Sequence, residues 1–235
     1  MKYLILVPSL LLLTIVCYYV VTLYQKIQIS TKLVQKAEPF RLMSADDSVT
    51  VLVLGDSTAV GVGADEPALS VAGRLANHLD ATFVENLSQS GAKSEDLKGQ
   101  ISSASKDSYK YILIQIGGND IISFKSATKA AEELTDAVKT LPATENLIVL
   151  SAGNVGGGTF FPHFLRPLYT KINLAYHKSF ARVVEEAGGT YVNLYVEPAK
   201  DPFVLQPERY LALDGLHPSS EGYRVWFRRV LEEIE

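Results

Sequence analysis

From Val49 to the carboxyl end, the sequence alternates between short apolar runs and longer amphipathic runs. The short runs are rich in β-branched residues and have the length of strands, whereas the longer runs have helical spacing. The predicted strands are residues 49–54, 82–87, 111–116, 147–151 and 190–194. The predicted helices are residues 68–79, 94–103, 127–140, 168–187 and 219–234. Such alternation indicates an α/β domain with a parallel sheet and right-handed crossovers.

The first, third and fourth predicted strands are almost wholly apolar, which is typical of strands covered by helices on both faces. Five such strands most simply form a flavodoxin-like three-layer sandwich with the strand order 2-1-3-4-5. In that order strand 1 lies between strands 2 and 3, and ligands bind beyond the carboxyl ends of the strands at this switch point. We therefore expect the turns after strands 1, 2 and 3 to converge on one site.

The segment from Leu4 to Leu23 contains no charged residue, and a transmembrane helix needs about 20 such residues. It is longer than the apolar core of a secretory signal, about 7–15 residues, and no Ala-x-Ala-like site follows it. We interpret residues 1–24 as an N-terminal transmembrane anchor, residues 25–48 as a polar tether and residues 49–235 as the globular domain. A cleaved signal sequence is the alternative.

The charge pattern excludes some partners and leaves the membrane topology open. The net charge is −4 and is spread along the chain, so no continuous basic surface for nucleic acid is expected. Lys2 precedes the apolar run and four basic residues follow it, which by count slightly favours a cytoplasmic domain. Cys17 is the only cysteine in the sequence, so an internal disulfide or a cysteine-based zinc site is impossible.

Polar residues follow each of the three strands that are expected to converge. Ser57 lies in Gly-Asp-Ser after the first strand, Gly91 in Ser-Gly-Ala after the second, and Asn119 in Gly-Gly-Asn-Asp after the third. A hydroxyl, an approachable backbone N–H and a carboxamide suit acyl transfer. Ser57 is the candidate nucleophile, and the N–H groups of Ser57 and Gly91 with the Asn119 amide are candidates for an oxyanion hole.

A serine nucleophile needs a base, and His217 in Asp-Gly-Leu-His-Pro is the best candidate. Asp214, three residues earlier, can fix one ring nitrogen and leave the other free to take the serine proton. The connection formed by residues 196–213 is long and contains three prolines. We expect it to bring Asp214 and His217 back across the sheet to Ser57.

On these motifs the chain resembles the SGNH, or GDSL-type, hydrolases. The resemblance rests on Ser57, Gly91, Asn119 and His217 in that order, and it covers the chain from about Val49 to the end. It implies esterase or lipase chemistry with Ser57 as nucleophile, His217 as base and Asp214 orienting it. Thr58 stands where many members have leucine.

The resemblance leaves other outcomes open. The same site serves an acyltransferase or a carbohydrate deacetylase, and an inactive membrane-tethered binding module is a third possibility. We expect an ester substrate, small or lipid-like, and no cofactor or metal, since no phosphate-binding loop or His-Glu-x-x-His motif occurs. Because the resemblance includes many exported members, we expect the hydrolase domain to be extracytoplasmic. The oligomeric state is not predicted.

Several residues near the motifs receive a structural interpretation. Asp56 and Asp120 are expected to cap helices. The histidines at positions 78 and 177 are expected to lie at the surface or at its boundary, and Tyr169, Tyr176 and Phe180 to face the core. The loop formed by residues 153–167 contains three consecutive glycines, His163 and several aromatic residues. It either packs down through its aromatic rings or forms a mobile wall for an apolar acyl group.

Overall fold

The apolar runs of the sequence form a five-stranded parallel sheet. The computed structural model describes the backbone of residues 2–235 and the side chains of residues 9–11 and 13–235. The strands are β1 (Thr50–Gly55), β2 (Phe83–Asn86), β3 (Ser108–Gln115), β4 (Ala143–Leu150) and β5 (Thr190–Val192). Their order in the sheet is β2-β1-β3-β4-β5, which confirms the predicted flavodoxin-like order.

The helices fall largely where the amphipathic runs predict them. They are α1 (Lys2–Lys36), α2 (Ser57–Val60), α3 (Val71–His78), α4 (Leu97–Ile101), α5 (Gly118–Ile122), α6 (Ala127–Val138), α7 (Arg166–Glu186), α8 (Pro202–Leu205), α9 (Pro207–Tyr210) and α10 (Ser220–Ile234). The run predicted at residues 68–79 is divided, because Ser70 Oγ accepts the Gly73 N–H and starts α3 after a 3₁₀ turn. The four-residue and five-residue helices α2, α5, α8 and α9 lie within stretches predicted as turns or loops.

Helices cover both faces of the sheet, as the apolar strands require. On one face, Leu52 and Ile112 belong to a core cluster with side chains from α4, α6 and α7. On the other, Val51 and Leu113 pack with side chains from α3 and α10. The aromatic residues predicted to face the core are buried, which confirms that prediction; they are Tyr169, Tyr176 and Phe180.

The N-terminal helix is longer than its apolar part. By length and composition, α1 is the helix among the described residues that is able to cross a membrane. It continues past Tyr24 to Lys36, through half of the segment interpreted as a tether. The reason is local: residues 25–36 are rich in strong helix formers and contain no glycine or proline, and Pro39 follows.

The second half of the tether segment lies against the edge of the sheet. Leu42 pairs antiparallel with Val84 of β2, with backbone hydrogen bonds of 3.1 and 2.8 Å. The Arg41 guanidinium donates two hydrogen bonds to the Asn86 carbonyl, at 3.2 and 3.0 Å. These contacts protect part of an exposed sheet edge and join α1 to the globular domain.

Candidate active site

Ser57 is delivered by a tight turn at the carboxyl end of β1. Gly55 has a φ of +133°, and a Cβ there would lie 1.9 Å from the Gln115 carbonyl oxygen, so the turn requires glycine. Asp56 caps α2, because its Oδ1 accepts the Thr58 N–H at 2.8 Å. The Thr58 hydroxyl donates to the same oxygen at 2.7 Å, which gives this residue a structural role. The capping role predicted for Asp56 is confirmed, and Ser57 begins α2.

The predicted base and its carboxylate meet Ser57 across the sheet. His217 Nε2 lies 2.9 Å from Ser57 Oγ, and His217 Nδ1 lies 2.6 Å from Asp214 Oδ2. Because the ionised carboxylate is only an acceptor, Nδ1 donates to it and Nε2 accepts the serine proton. All three side chains are buried. The three side chains form one hydrogen-bonded chain, which is the geometry that a nucleophile, a base and an orienting acid require.

Asp214 is held in its charged form by its neighbours. Burial alone would raise the pKa of this carboxyl group, but the hydrogen bond and charge of His217 oppose it. The N–H groups of Leu216 and His217 also donate to Asp214 Oδ1, at 2.9 and 3.1 Å. Together these partners lower the pKa of Asp214 below its ordinary value. The acid is therefore an ionised acceptor that fixes the ring of His217.

The loop that holds His217 is built by the long connection after β5. It contains α8 and α9 and then folds back, with the Ala212 N–H donating to the His217 carbonyl at 2.8 Å. It rests on Gly63, whose φ is +95° and where a Cβ would lie 2.4 Å from the Pro218 carbonyl oxygen. The expectation that the proline-containing connection returns to the site is confirmed by the contact between His217 and Ser57.

Gly91 and Asn119 line the same cavity as Ser57 and His217. Gly91 has a φ of +88°, and the space where its Cβ would stand has no atom within 4 Å, so its backbone is approachable. Asn119 Nδ2 donates one hydrogen to the Ala92 carbonyl at 3.0 Å. That bond fixes the carboxamide beside Gly91, and the second amide hydrogen is available to a ligand.

Asp120 does not cap α5, contrary to the prediction, because Gly117 occupies the N-cap position. Its carboxylate instead accepts the N–H and the hydroxyl of Ser94, at 3.0 and 3.2 Å, and lies 3.2 Å from Lys125 Nζ. Burial raises the pKa of Asp120, while Ser94 and Lys125 oppose the shift. The residue ties the loop after β2 to α5 and so links the segments that carry Gly91 and Asn119.

The cavity itself has a volume of about 270 Å³ and is lined largely by apolar surface. Asn154, Val155 and Gly158 of the glycine-rich loop after β4 line it, so this loop does form a wall. The same loop also packs down: the ring of Phe161 lies 4.4 Å from that of Tyr169. Apolar side chains outside the predicted set complete the lining; they include Leu194, Phe203, Leu216 and Trp226.

The remaining histidines lie outside the cavity lining. His163 is exposed, and His78 is partly exposed and lies 3.3 Å from a Glu235 carboxylate oxygen. The prediction that His177 lies at the surface or at its boundary is wrong, since the residue is buried with an exposed fraction of 6%. Asn173 Nδ2 donates to its Nε2 at 2.8 Å, and burial lowers the pKa of His177 to about 4. Two polar partners, Asn173 on the same helix and the hydroxyl of Tyr191 on β5, satisfy its ring nitrogens and make its burial possible.

Two residues of α1, Ser30 and Val34, also line the cavity. The sequence interpretation missed them because it ended the helix at residue 24. The helix formers that continue to Lys36 indicate a longer helix, but no signal in the sequence places Ser30 and Val34 at the cavity.

Comparison with known proteins finds a matching family model, a curated relative and similar solved structures. Residues 53–225 match the model of the GDSL-like lipase/acylhydrolase family. The GDSL-like esterase Rv1075c of Mycobacterium tuberculosis is 28% identical over 185 residues, which cover 75% of this chain. The chain spans 59% of the length of that relative.

Solved structures of low identity share the fold. A member of the lipolytic G-D-S-L family from Veillonella parvula is 15% identical with a TM-score of 0.60, and the match covers 79% of this chain and 97% of the other. An acetylxylan esterase from Geobacillus stearothermophilus, in a catalytic mutant, is 19% identical with a TM-score of 0.57. That match covers 82% of this chain and 96% of the other. These likenesses concern the fold of the globular domain.

Proposed function

The chain belongs to the GDSL-like lipase/acylhydrolase family, and on that premise we propose that it is a serine esterase that cleaves carboxylic esters through an acyl-enzyme on Ser57. The observation that carries the proposal is the hydrogen-bonded chain from Ser57 through His217 to Asp214. Its two distances lie within the range at which a positioned base takes a proton from a nucleophile.

In the first half of the reaction, His217 Nε2 takes the hydroxyl proton as Ser57 Oγ attacks the ester carbonyl carbon. The C=O electron pair moves onto oxygen, and a tetrahedral intermediate forms. Asp214, ionised and hydrogen-bonded to Nδ1, stabilises the imidazolium and holds its orientation. His217 then gives its proton to the departing alkoxide oxygen, the C–O bond breaks, and the acyl group stays on Ser57.

The negative charge of the intermediate is stabilised by donors on the side of β2 and β3. The backbone N–H groups of Ser57 and Gly91 and the second amide hydrogen of Asn119 are the proposed oxyanion hole. Removing one such donor typically raises the barrier by about 2.7–4 kcal/mol. In the second half of the reaction, a water molecule deprotonated by His217 attacks the acyl carbon. The bond to Ser57 Oγ then breaks, His217 returns the proton to Oγ, and the acid is released.

The proposal is tested by hydrolysis of p-nitrophenyl acetate by the full-length protein in detergent. We expect the Ser57→Ala variant to lose nearly all the activity of the parent. Ser102→Ala, an exposed serine outside the cavity lining, serves as the matched control and is expected to keep it. A Ser57→Ala protein that hydrolyses the ester as fast as the parent contradicts the proposal.

We further propose that residues 1–24 anchor the protein in a membrane, with residues 49–235 as the extracytoplasmic hydrolase domain. The apolar part of α1 supports an anchor by length and composition, although a signal sequence meets the same criteria. Treating intact cells with a protease that cannot cross the membrane tests the location. We expect the domain to be degraded; full protection in cells, with degradation after lysis, contradicts an extracytoplasmic domain.

A further inference from the structure

The carboxyl half of α1 crosses the carboxyl ends of the strands, over the cavity. At one end of the crossing, Tyr19 makes an edge contact with Phe164 at 5.8 Å between ring centroids. One to two turns further along, Lys26 Nζ donates to the Thr159 carbonyl. Phe164 and Thr159 both belong to the loop that follows β4, so this end of the crossing lies on the β4 side of the site.

At the other end, the chain after α1 is fixed to β2. The guanidinium of Arg41 is hydrogen-bonded to the Asn86 carbonyl, and Leu42 pairs with Val84. Phe40 packs against one of the two core clusters. The segment formed by α1 and the residues after it is therefore attached to the domain on both sides of the site. This makes it a fixed wall, since a lid would have one free end.

Between the two attachments, one face of α1 is half-buried and the other is exposed. The half-buried positions recur every three to four residues, as one face of a helix does; they are Tyr19, Thr22, Leu23, Lys26, Ile29, Ser30, Leu33 and Val34. Ser30 and Val34 line the cavity that contains Ser57 and His217. Thr31 and Gln35, each one residue further along, lie on the exposed face.

We propose that Ser30 and Val34 form the outer wall of the acyl-binding part of the cavity and limit the length of the acyl group that fits. The inference rests on the proposed esterase function. The inference goes beyond that function because it assigns acyl-length specificity to α1. This helix lies outside the residues matched to the family model, which begin at residue 53.

The direction in which α1 crosses the site indicates that Ser30 and Val34 lie beside the acyl group of the ester rather than beside its alcohol. The leaving alcohol lies on the side of His217, which protonates it. The Lys26 end of α1 is on that side, because Phe160, next to Thr159, donates its N–H to Gly215 in the His217 loop at 3.0 Å. Ser30 and Val34 lie one and two turns further toward β2, the side on which Gly91 stands. They therefore face the acyl portion of the ester.

Because the cavity is small, the residues of this wall are expected to have a strong effect on the acyl length that fits. At about 270 Å³ the cavity is slightly smaller than the usual range for ligand sites, about 300–1,000 Å³. In a small apolar cavity, one methylene more or less changes discrimination by about tenfold or more. Small changes in side-chain volume at position 34 are thus expected to change which acyl length is accepted.

The test compares full-length variants on p-nitrophenyl acetate and p-nitrophenyl octanoate. We expect Val34→Trp and Ser30→Trp to lower the octanoate-to-acetate ratio of kcat/KM by about tenfold, mostly through a higher KM for octanoate. Val34→Ala is expected to change the ratio in the opposite direction. Thr31→Trp and Gln35→Trp, which add the same bulk on the exposed face, are the matched controls and are expected to keep the parental ratio.

Three different failures are distinguishable. If the parent hydrolyses neither ester and a fluorophosphonate does not label Ser57, the proposed function fails. If the parent is active but the variants at positions 30 and 34 have the same ratio as those at 31 and 35, only the wall is refuted. If the ratio changes when the alcohol is lengthened but not when the acyl chain is, the assignment to the acyl side is wrong.

Discussion

Two buried aspartates stand beside the same serine and histidine, and their environments push them in opposite directions. Asp56, in the turn after β1, has its pKa raised to about 6, chiefly by burial. Asp214, in the loop before α10, has its pKa lowered although burial pushes it the other way. Asp214 has an imidazole partner and two backbone N–H donors, whereas among the residues that the structure describes Thr58 alone donates to the Asp56 carboxyl group. Partners, rather than depth, decide which carboxyl group is a stable anion.

The opposite pKa shifts of Asp56 and Asp214 suit the two different roles of these residues. An acid that must orient a base and stabilise a transient imidazolium has to be ionised throughout the reaction. An acid that caps a four-residue helix needs only to accept hydrogen bonds. The comparison therefore predicts that substitutions at the two positions separate activity from stability.

The largest expected effect of substituting these two aspartates is on the rate of ester hydrolysis. Replacing Asp214 with asparagine removes the anion that fixes His217, and we expect kcat to fall by about 10⁴-fold. Replacing Asp56 with asparagine keeps an acceptor for the Thr58 N–H, and we expect a loss of less than about tenfold. Steady-state kinetics with p-nitrophenyl acetate measures both. Equal losses in the two variants would remove the distinction between the two acids.

The second effect is on stability in acid. Because the pKa of Asp214 is lower in the folded protein, the stability it contributes is present above its unfolded pKa and is lost as the pH falls through its folded pKa. We expect the parent to be about 3 kcal/mol more stable than Asp214→Asn at pH 7. Urea unfolding at pH 7 and pH 3 measures the difference. A difference that stays constant between the two pH values would contradict the ionised state of Asp214.

The third effect is also on stability, but the contribution of Asp56 changes with pH in the direction opposite to that of Asp214. Because the pKa of Asp56 is raised to about 6, its favourable contribution is present below its unfolded pKa and is lost as the pH rises through about 6. Relative to the parent, Asp56→Asn should therefore gain about 2 kcal/mol of unfolding free energy between pH 4 and pH 7. The same urea experiment at these two pH values tests it. A relative loss with rising pH would mean that the carboxyl group is stabilised as an anion.

The smallest effect concerns Thr58. Its hydroxyl donates to Asp56 at 2.7 Å, and Thr58→Val removes that donor while keeping the shape of the side chain. We expect a loss of about 1 kcal/mol of unfolding free energy at pH 7 and a further rise in the pKa of Asp56. Thr58→Ser, which keeps the hydroxyl, is the control and is expected to retain most of the stability.

The parts of the structure that follow from local pattern were predictable from the sequence. The apolar runs fix the strands, and chain alternation with right-handed crossovers leaves few strand orders. Ser57, Gly91 and Asn119 then meet because parallel strands end at one edge of the sheet, and the long connection after β5 brings His217 back to them. Their placement in one cavity follows from topology and needs no knowledge of side-chain packing.

The parts that depend on distant contacts were not predictable. Nothing near Val34 in the sequence indicates that it lines the cavity, since this requires the attachment of Arg41 to Asn86. His177 has an ordinary helical context, and its burial depends on Tyr191 from β5. Asp120 has the sequence position of a cap, but Ser94 from another loop binds its carboxylate. In each case a residue far along the chain decides the outcome.

The central claim is that Ser57, His217 and Asp214 act as one unit and that Asp56 does not belong to it. The most direct measurement is the rate at which a fluorophosphonate labels Ser57, followed by intact mass, in the parent and in the Asp56→Asn, Asp214→Asn and His217→Ala variants. We predict a single label on the parent and on Asp56→Asn at similar rates, and labelling at least about 10³-fold slower in the other two. Labelling of Asp214→Asn at the parental rate, or equal slowing in Asp56→Asn, would contradict the account.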